Sequence, residues 1–237
     1  MRPCQIVTVR DYGDQYVEAA WGWSANGERI ITERGESENR EKNIERCIKR
    51  AKAVVRRKCM AGGLDHLLTL TYRANIIDKQ TAWRNFEKFV RLIHSYIPDW
   101  KYLVIAEKQK RGSIHFHLAV KGFQDVSLLR SLWRCIVEDG NIDIQYVKSG
   151  KGLQWKRFKL AQYLAKYIGK EMETELNEKR FRSSPGITIP KRIVFLPSAI
   201  SAREYALFQV EALGGKVGFV WSPEESNGFY GWACSWG

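Results

Sequence analysis

His115 and His117 flank Phe116 inside the apolar run Ile114-His115-Phe116-His117-Leu118, and the other two histidines are His66 and His94. In an extended strand both imidazoles fall on one face, with Ile114, Phe116 and Leu118 on the other. Two imidazoles on one face can hold a metal ion; they can equally be surface or satisfied core residues. Glu107 ends the apolar run before the next turn, and His115 opens the run after it. In a hairpin those strand ends lie together, so a carboxylate stands beside the imidazoles. Two histidines and one carboxylate leave positions open for substrate oxygens. Glu107 alone is equally an ordinary acid near a turn that contains Lys108, Lys110 and Arg111.

A second group lies downstream in Gln162-Tyr163-Leu164-Ala165-Lys166-Tyr167-Ile168-Gly169-Lys170. At helical spacing, Tyr163, Lys166, Tyr167 and Lys170 share a stripe, beside an apolar stripe of Leu160, Leu164 and Ile168. Tyrosines so spaced are often core aromatics. The interleaved lysines argue instead for two phenols presented in a positive field. A phenol has a pKa near 10, and nearby ammonium groups favour the phenolate. With a metal ion polarising a phosphodiester, such a phenolate can displace the 3′ oxygen in line. The products are a 5′-phosphotyrosine and a free 3′-hydroxyl, and the link keeps the energy needed to rejoin the strand.

These groups need a scaffold. His66 to Tyr72 reads as a strand, 78–97 as an amphipathic helix, Lys101 to Glu107 as a strand and 114–120 as the histidine strand. A helix over 125–139 and a strand over 141–147 follow. The order is β-α-β-β-α-β, an α+β ferredoxin-like or RRM-like antiparallel sheet with the histidine strand central. Its two helices are expected on one face, leaving the other open. A further helix over 156–173 carries the tyrosines.

Upstream, Gln5 to Val9 and Tyr16 to Ala19 alternate around the turn Asp11-Tyr12-Gly13-Asp14, a hairpin. Residues 37–61 read as one long helix, capped by Ser37, loaded with Lys and Arg and stopped by Gly62-Gly63. Downstream, a strand is expected within Thr188 to Leu196, a helix from Ser201 to about Leu213, and a last strand over Lys216 to Trp221. The expected division is an N-terminal extension (1–62), a core (63–175) and a C-terminal extension (176–237).

The chain has 237 residues, 44% hydrophobic, with 39 Lys and Arg against 26 Asp and Glu, a net charge of +13. That balance suits a polyanionic partner, nucleic acid or an anionic membrane surface. Phosphate contacts are expected from Arg56, Arg57 and Lys58 of the long helix and from Lys108, Lys110 and Arg111 of the turn, with Tyr72 as a further DNA contact. Five scattered cysteines without a C-x-x-C argue against a disulfide framework or a zinc ribbon and fit a reducing cytoplasm. No charged-then-apolar leader, no apolar run long enough for a bilayer and no G-x-x-x-x-G-K-[S/T] loop is present.

Together the motifs resemble the HUH endonuclease superfamily, in particular rolling-circle replication initiators. Leu68-Thr69-Leu70-Thr71-Tyr72 resembles the first motif. His115-Phe116-His117 matches the His-hydrophobic-His motif. Tyr163-Leu164-Ala165-Lys166-Tyr167 resembles the two-tyrosine motif of initiators from single-stranded DNA phages. The tyrosines follow the histidines, whereas in relaxases they precede them. The resemblance implies Mg2+ or Mn2+ on Glu107, His115 and His117. It implies Tyr163 and Tyr167 as nucleophiles, assisted by Lys166 and Lys170. It further implies single-stranded DNA at a phage or plasmid origin as substrate, host helicase and polymerase as partners, and a bacterial cytoplasm as the setting. Three alternatives fit the sequence less well. An RRM-like binding module would place stacking aromatics on the central strands, where this chain has His115, His117 and Glu107. A two-His-one-carboxylate oxygenase leaves the tyrosine helix and the charge unexplained. A related transposase would use a single tyrosine.

Overall fold

The computed structural model describes residues 4–24, 40–147, 152–170 and 179–235. In chain order these form β1 (Gln5–Asp11), β2 (Val17–Trp23), α1 (Arg40–Gly62), β3 (His66–Tyr72), α2 (Lys79–Tyr96), β4 (Tyr102–Lys108) and β5 (Ile114–Val120). There follow α3 (Val126–Val137), β6 (Gly140–Tyr146), α4 (Gly152–Lys170), β7 (Arg182–Ser183), β8 (Arg192–Leu196), α5 (Ala202–Gly214), β9 (Val217–Trp221) and β10 (Gly231–Ser235). Among the described residues the protein is α+β, with five helices and two antiparallel five-stranded sheets. Ser37, the expected cap of α1, lies outside the described residues.

The chain groups into two units, residues 35–188 and residues 1–34 with 189–237. Sequence order alone suggests three consecutive segments. Instead α1 falls in the same unit as the motifs, and the two terminal segments build one sheet together.

In the 35–188 unit the sheet order is β6-β3-β5-β4-β7. The first four strands have the ferredoxin-like arrangement, and β5 is central. Local chemistry explains each helix start. Asp78 accepts from Thr81 N at 2.8 Å to cap α2, and Asp125 accepts from Ser127 N at 2.7 Å to cap α3. Trp83, Phe86, Phe89 and Ile93 of α2, with Leu129, Leu132 and Trp133 of α3, bury one sheet face against Leu68, Leu70, Phe116 and Leu118.

The opposite face is not open, contrary to the sequence expectation. Val55 and Cys59 of α1 and Leu160, Leu164 and Ile168 of α4 pack there with Leu67, Leu103, Ile105 and Ala119. The two covering helices flank the β-α-β-β-α-β segment in sequence, so that segment read by itself does not reveal them. All seven residues of β5 are buried, as a strand covered on both faces requires. Burial pushes the Cys59 thiol up to about 12.

The other unit orders its strands β8-β1-β2-β10-β9. Val7, Val9, Val17, Ala19 and Trp21 pack with Ala202, Ala206 and Val210 of α5. Ser201 caps α5 by accepting from Glu204 N at 3.3 Å. Gly215 ends it at φ +77°, in the region that favours glycine. The tail, which has no clear assignment from sequence, supplies β10, which pairs with β2 and β9. All five cysteines are free thiols.

Candidate active site

Strand register builds the first half of the site. β4 and β5 form a hairpin in which Glu107 lies opposite His115 and Ile105 opposite His117. On the other side of β5, Thr69 of β3 lies opposite His117. The turn is closed by Gly112 N donating to Gln109 O at 2.8 Å, with Gly112 at φ +90°. The Glu107 side chain reaches diagonally rather than straight across. Its Oε2 accepts from His117 Nε2 at 2.8 Å. Thr69 Oγ1 lies 3.5 Å from His117 Nδ1. The pair is largely out of solvent, with side-chain exposures of 8% for His117 and 16% for Glu107.

His115 is held differently. Gln109 Nε2 lies 2.8 Å from its Nδ1, and its Nε2 is buried without a hydrogen-bond partner. Donation from the amide to Nδ1 puts the ring proton on Nε2. Half a turn of the amide reverses this: Nδ1–H then donates to Gln109 Oε1, and Nε2 presents a lone pair. Burial, and then the charges of His117 and Arg111, hold the His115 pKa below its ordinary value, against the opposing pull of Glu107. The imidazole is thereby kept neutral, the form that ligates metal.

α4 supplies the second half. Its apolar stripe docks on the sheet, and the stripe beside it turns the phenols to the histidine strand. Tyr167 stacks flat on His117, with ring centroids 4.2 Å apart and planes 9° apart. Tyr163 stands edge-on to the same imidazole at 6.3 Å. The Tyr167 hydroxyl donates to the Tyr163 hydroxyl at 2.7 Å. Burial first, then that hydrogen bond and the charges of Tyr163 and Glu107, push the Tyr167 phenol well above the usual tyrosine range. Lys166 Nζ lies 5.8 Å from the Tyr163 ring centroid. The side chain of Lys170 lies outside the described residues.

Glu107, His115, His117, Tyr163, Lys166 and Tyr167 are therefore gathered by three elements into one place. Two imidazoles, one carboxylate and an orphaned buried nitrogen suit a divalent cation. In the arrangement seen, however, Glu107 and His117 bond to each other. Among the described residues, no three His, Cys, Asp or Glu side chains converge as a coordination group.

The expected DNA contacts divide. Lys108, Lys110 and Arg111 are exposed on the turn, and Arg111 Nη2 donates to Tyr72 O at 3.4 Å. Arg56, Arg57 and Lys58 are half-buried, and Lys58 Nζ donates to Ile187 O at 3.2 Å. The exposed cations of α1 are Lys42, Arg46, Lys49, Arg50 and Lys52. Tyr72 must be corrected. It is 3% exposed, packs edge-on against Trp133 and donates to Ala82 O at 3.4 Å. Its place in the alternation Leu68, Leu70, Tyr72 sends it into the core, where no base can reach it, and burial raises its phenol to about 12.

Two residues at the site escaped sequence reasoning. Thr69 was detectable, because strand period sets it opposite the leucines. Gln109 had no signal, since a turn side chain reaching back to a strand leaves no periodicity.

No curated protein and no solved structure matches the chain. Residues 65–172 match a family model described as replication-associated protein ORF2. The matched span opens at the edge of β3 and includes every residue gathered at the site. The segment that carries the site is thus similar to the replication-associated proteins of that family, which supports a role in initiating replication.

Proposed function

We propose that the protein starts rolling-circle replication as a site- and strand-specific nickase and rejoiner of single-stranded DNA. One arrangement carries the reading: two hydroxyl-linked tyrosines, one of them stacked on an imidazole that is bonded to Glu107. The match to a replication-associated family supports the biological setting. Burial of both sheet faces counts against an RRM-like module, which needs an open face for stacking.

Tyr163 is the first nucleophile. Its oxygen accepts the Tyr167 hydroxyl, so charge developing there is supported, and Lys166 adds a positive field. Tyr167, buried and donating its proton, is the poorer phenolate. The Tyr163 oxygen attacks phosphorus and releases its proton to solvent. The bond to the 3′ oxygen breaks, and that oxygen takes up a proton. A 5′-phosphotyrosine and a free 3′-hydroxyl result. One phosphodiester has become another, so a later attack by a 3′-hydroxyl restores the strand without ATP. Tyr167 serves a second transfer. Glu107, His115 and His117 would hold Mg2+ or Mn2+, which when bound polarises the phosphate and supports the leaving oxygen. The freed 3′-hydroxyl primes a host polymerase. With no P-loop in the chain, a host helicase opens the duplex in the bacterial cytoplasm.

The test is incubation with single-stranded oligonucleotides from each strand of the protein's own replicon in Mn2+. A covalent protein–DNA band on a denaturing gel, lost in EDTA, is expected. Absence of a band with every oligonucleotide sinks the proposal.

A further inference from the structure

The strands of the 35–188 unit end in a second cluster that the phosphoryl-transfer reading does not use. Asp65 Oδ1 lies 2.8 Å from His66 Nδ1 and accepts from Gly122 N at 2.8 Å. Two aromatic rings flank the imidazole. Phe123 is edge-on at 6.3 Å, and Tyr146 is tilted at 4.9 Å. Both rings are open to solvent, Phe123 at 69% and Tyr146 at 48%. Cations border them. Lys156 donates to the Tyr146 hydroxyl, and its Nζ lies 4.2 Å from that ring's centroid. Lys121 and Arg157 meet over Gly63, where an added Cβ would stand 3.4 Å from Arg157 Nη2 and 3.8 Å from Lys121 Cε.

Exposed rings gathered around an imidazole and bordered by cations suit one partner chemistry. Bases stack on rings, and phosphates pair with ammonium and guanidinium groups. Charge selects the same partner, because the 35–188 unit holds 31 Lys and Arg against 17 Asp and Glu, or +14. We propose that Phe123, His66 and Tyr146 form a stacking subsite for one base of single-stranded DNA, with Lys121, Lys156 and Arg157 taking flanking phosphates. The proposal rests on the reading above that this unit binds single-stranded DNA. The subsite is distinct from the tyrosines. His66 lies opposite Val120 in the register and His117 opposite Thr69, an offset of three residues that reverses the sheet face. The two places are linked along α4, since Lys156 precedes Tyr163 by seven residues, roughly 10 Å of helix. A strand attacked at Tyr163 can thus be gripped at a base a few nucleotides away, which gives the nick a sequence preference.

The test measures binding of the full chain to a fluorescent origin oligonucleotide, and to a series carrying one abasic position each. Phe123→Ala and Tyr146→Ala are each expected to weaken binding about tenfold, within the range for loss of a base–aromatic stack. Phe208→Ala, an exposed ring in the other unit, should leave binding unchanged. One abasic position should weaken wild type and leave the Phe123→Ala/Tyr146→Ala double variant unaffected. Variants that bind within twofold of wild type, or an abasic profile that substitution does not alter, overturn the subsite. Covalent adduct by wild type is scored separately. Stacking without adduct keeps the subsite and removes the nickase reading; adduct without stacking does the reverse.

Discussion

The two units differ in charge and in what they leave exposed. The unit of residues 35–188 carries +14. The unit of 1–34 and 189–237 holds 8 Lys and Arg against 9 Asp and Glu, or −1. The net charge of +13 is therefore a property of one unit, and whole-chain composition conceals that. The basic unit buries both faces of its sheet and places its imidazoles under α4. The near-neutral unit leaves Phe195, Phe219 and Trp221 exposed on its strands, without a comparable excess of cations. Aromatic exposure alone therefore does not mark a nucleic-acid surface in this protein; the coincidence of rings and positive charge does.

The largest expected effect concerns how the basic unit holds its tyrosines. Leu164 is fully buried between α4 and the sheet, so Leu164→Ala should cost about 2–5 kcal/mol in denaturant unfolding and weaken cleavage as well. His117→Ala removes both the surface under Tyr167 and the partner of Glu107. Its adduct-forming rate should fall about a hundredfold or more in single-turnover assays. A variant cleaving at the wild-type rate would detach the histidine strand from the chemistry.

The near-neutral unit can be disturbed by itself. A Cβ on Gly231 would lie 2.4 Å from Trp221 O and 2.5 Å from Trp21 Cζ2. Gly231→Ala should cost about 1–3 kcal/mol by overpacking, while adduct still forms below the lowered melting transition. A smaller effect tests the charge division. Lys49→Glu with Arg50→Glu on α1 should weaken single-stranded DNA binding about fivefold at low salt, flattening the log–log salt slope by about 0.7 per lost phosphate contact. Lys191→Glu with Lys216→Glu should change neither. Equal effects in both units would erase the comparison.

The smallest effect is one of pH. The folded-state pKa of His115 lies below the ordinary 6.5, so the folded protein binds fewer protons than the unfolded chain between the two values. The stabilisation is complete above about pH 6.5 and is lost as pH falls through the folded value. Melting in EDTA should show an acid-side decline that His115→Gln reduces.

Local periodicity carried much of this structure. Period two put His115 and His117 on one face, and period 3.6 put Tyr163 and Tyr167 beside the docking stripe of α4. The same alternation assigns Tyr72 to the core with Leu68 and Leu70, so its proposed DNA contact conflicted with a pattern already present in the sequence. Other features lacked a local signal. β1 and β2 pair with strands nearly the whole chain away, and such long-range pairing follows from no neighbouring residues. The role of Gln109 depends on a turn that aims its amide at one ring nitrogen.

The central claim is a covalent bond between DNA and α4. The direct measurement is to trap the adduct with a labelled origin oligonucleotide in Mn2+, digest it and locate the modified residue by mass spectrometry. The account predicts a 5′-phosphate on Tyr163, with adduct abolished in the Tyr163→Phe/Tyr167→Phe double variant. Adduct persisting in that double variant, or a strand cut with no protein attached, would contradict it.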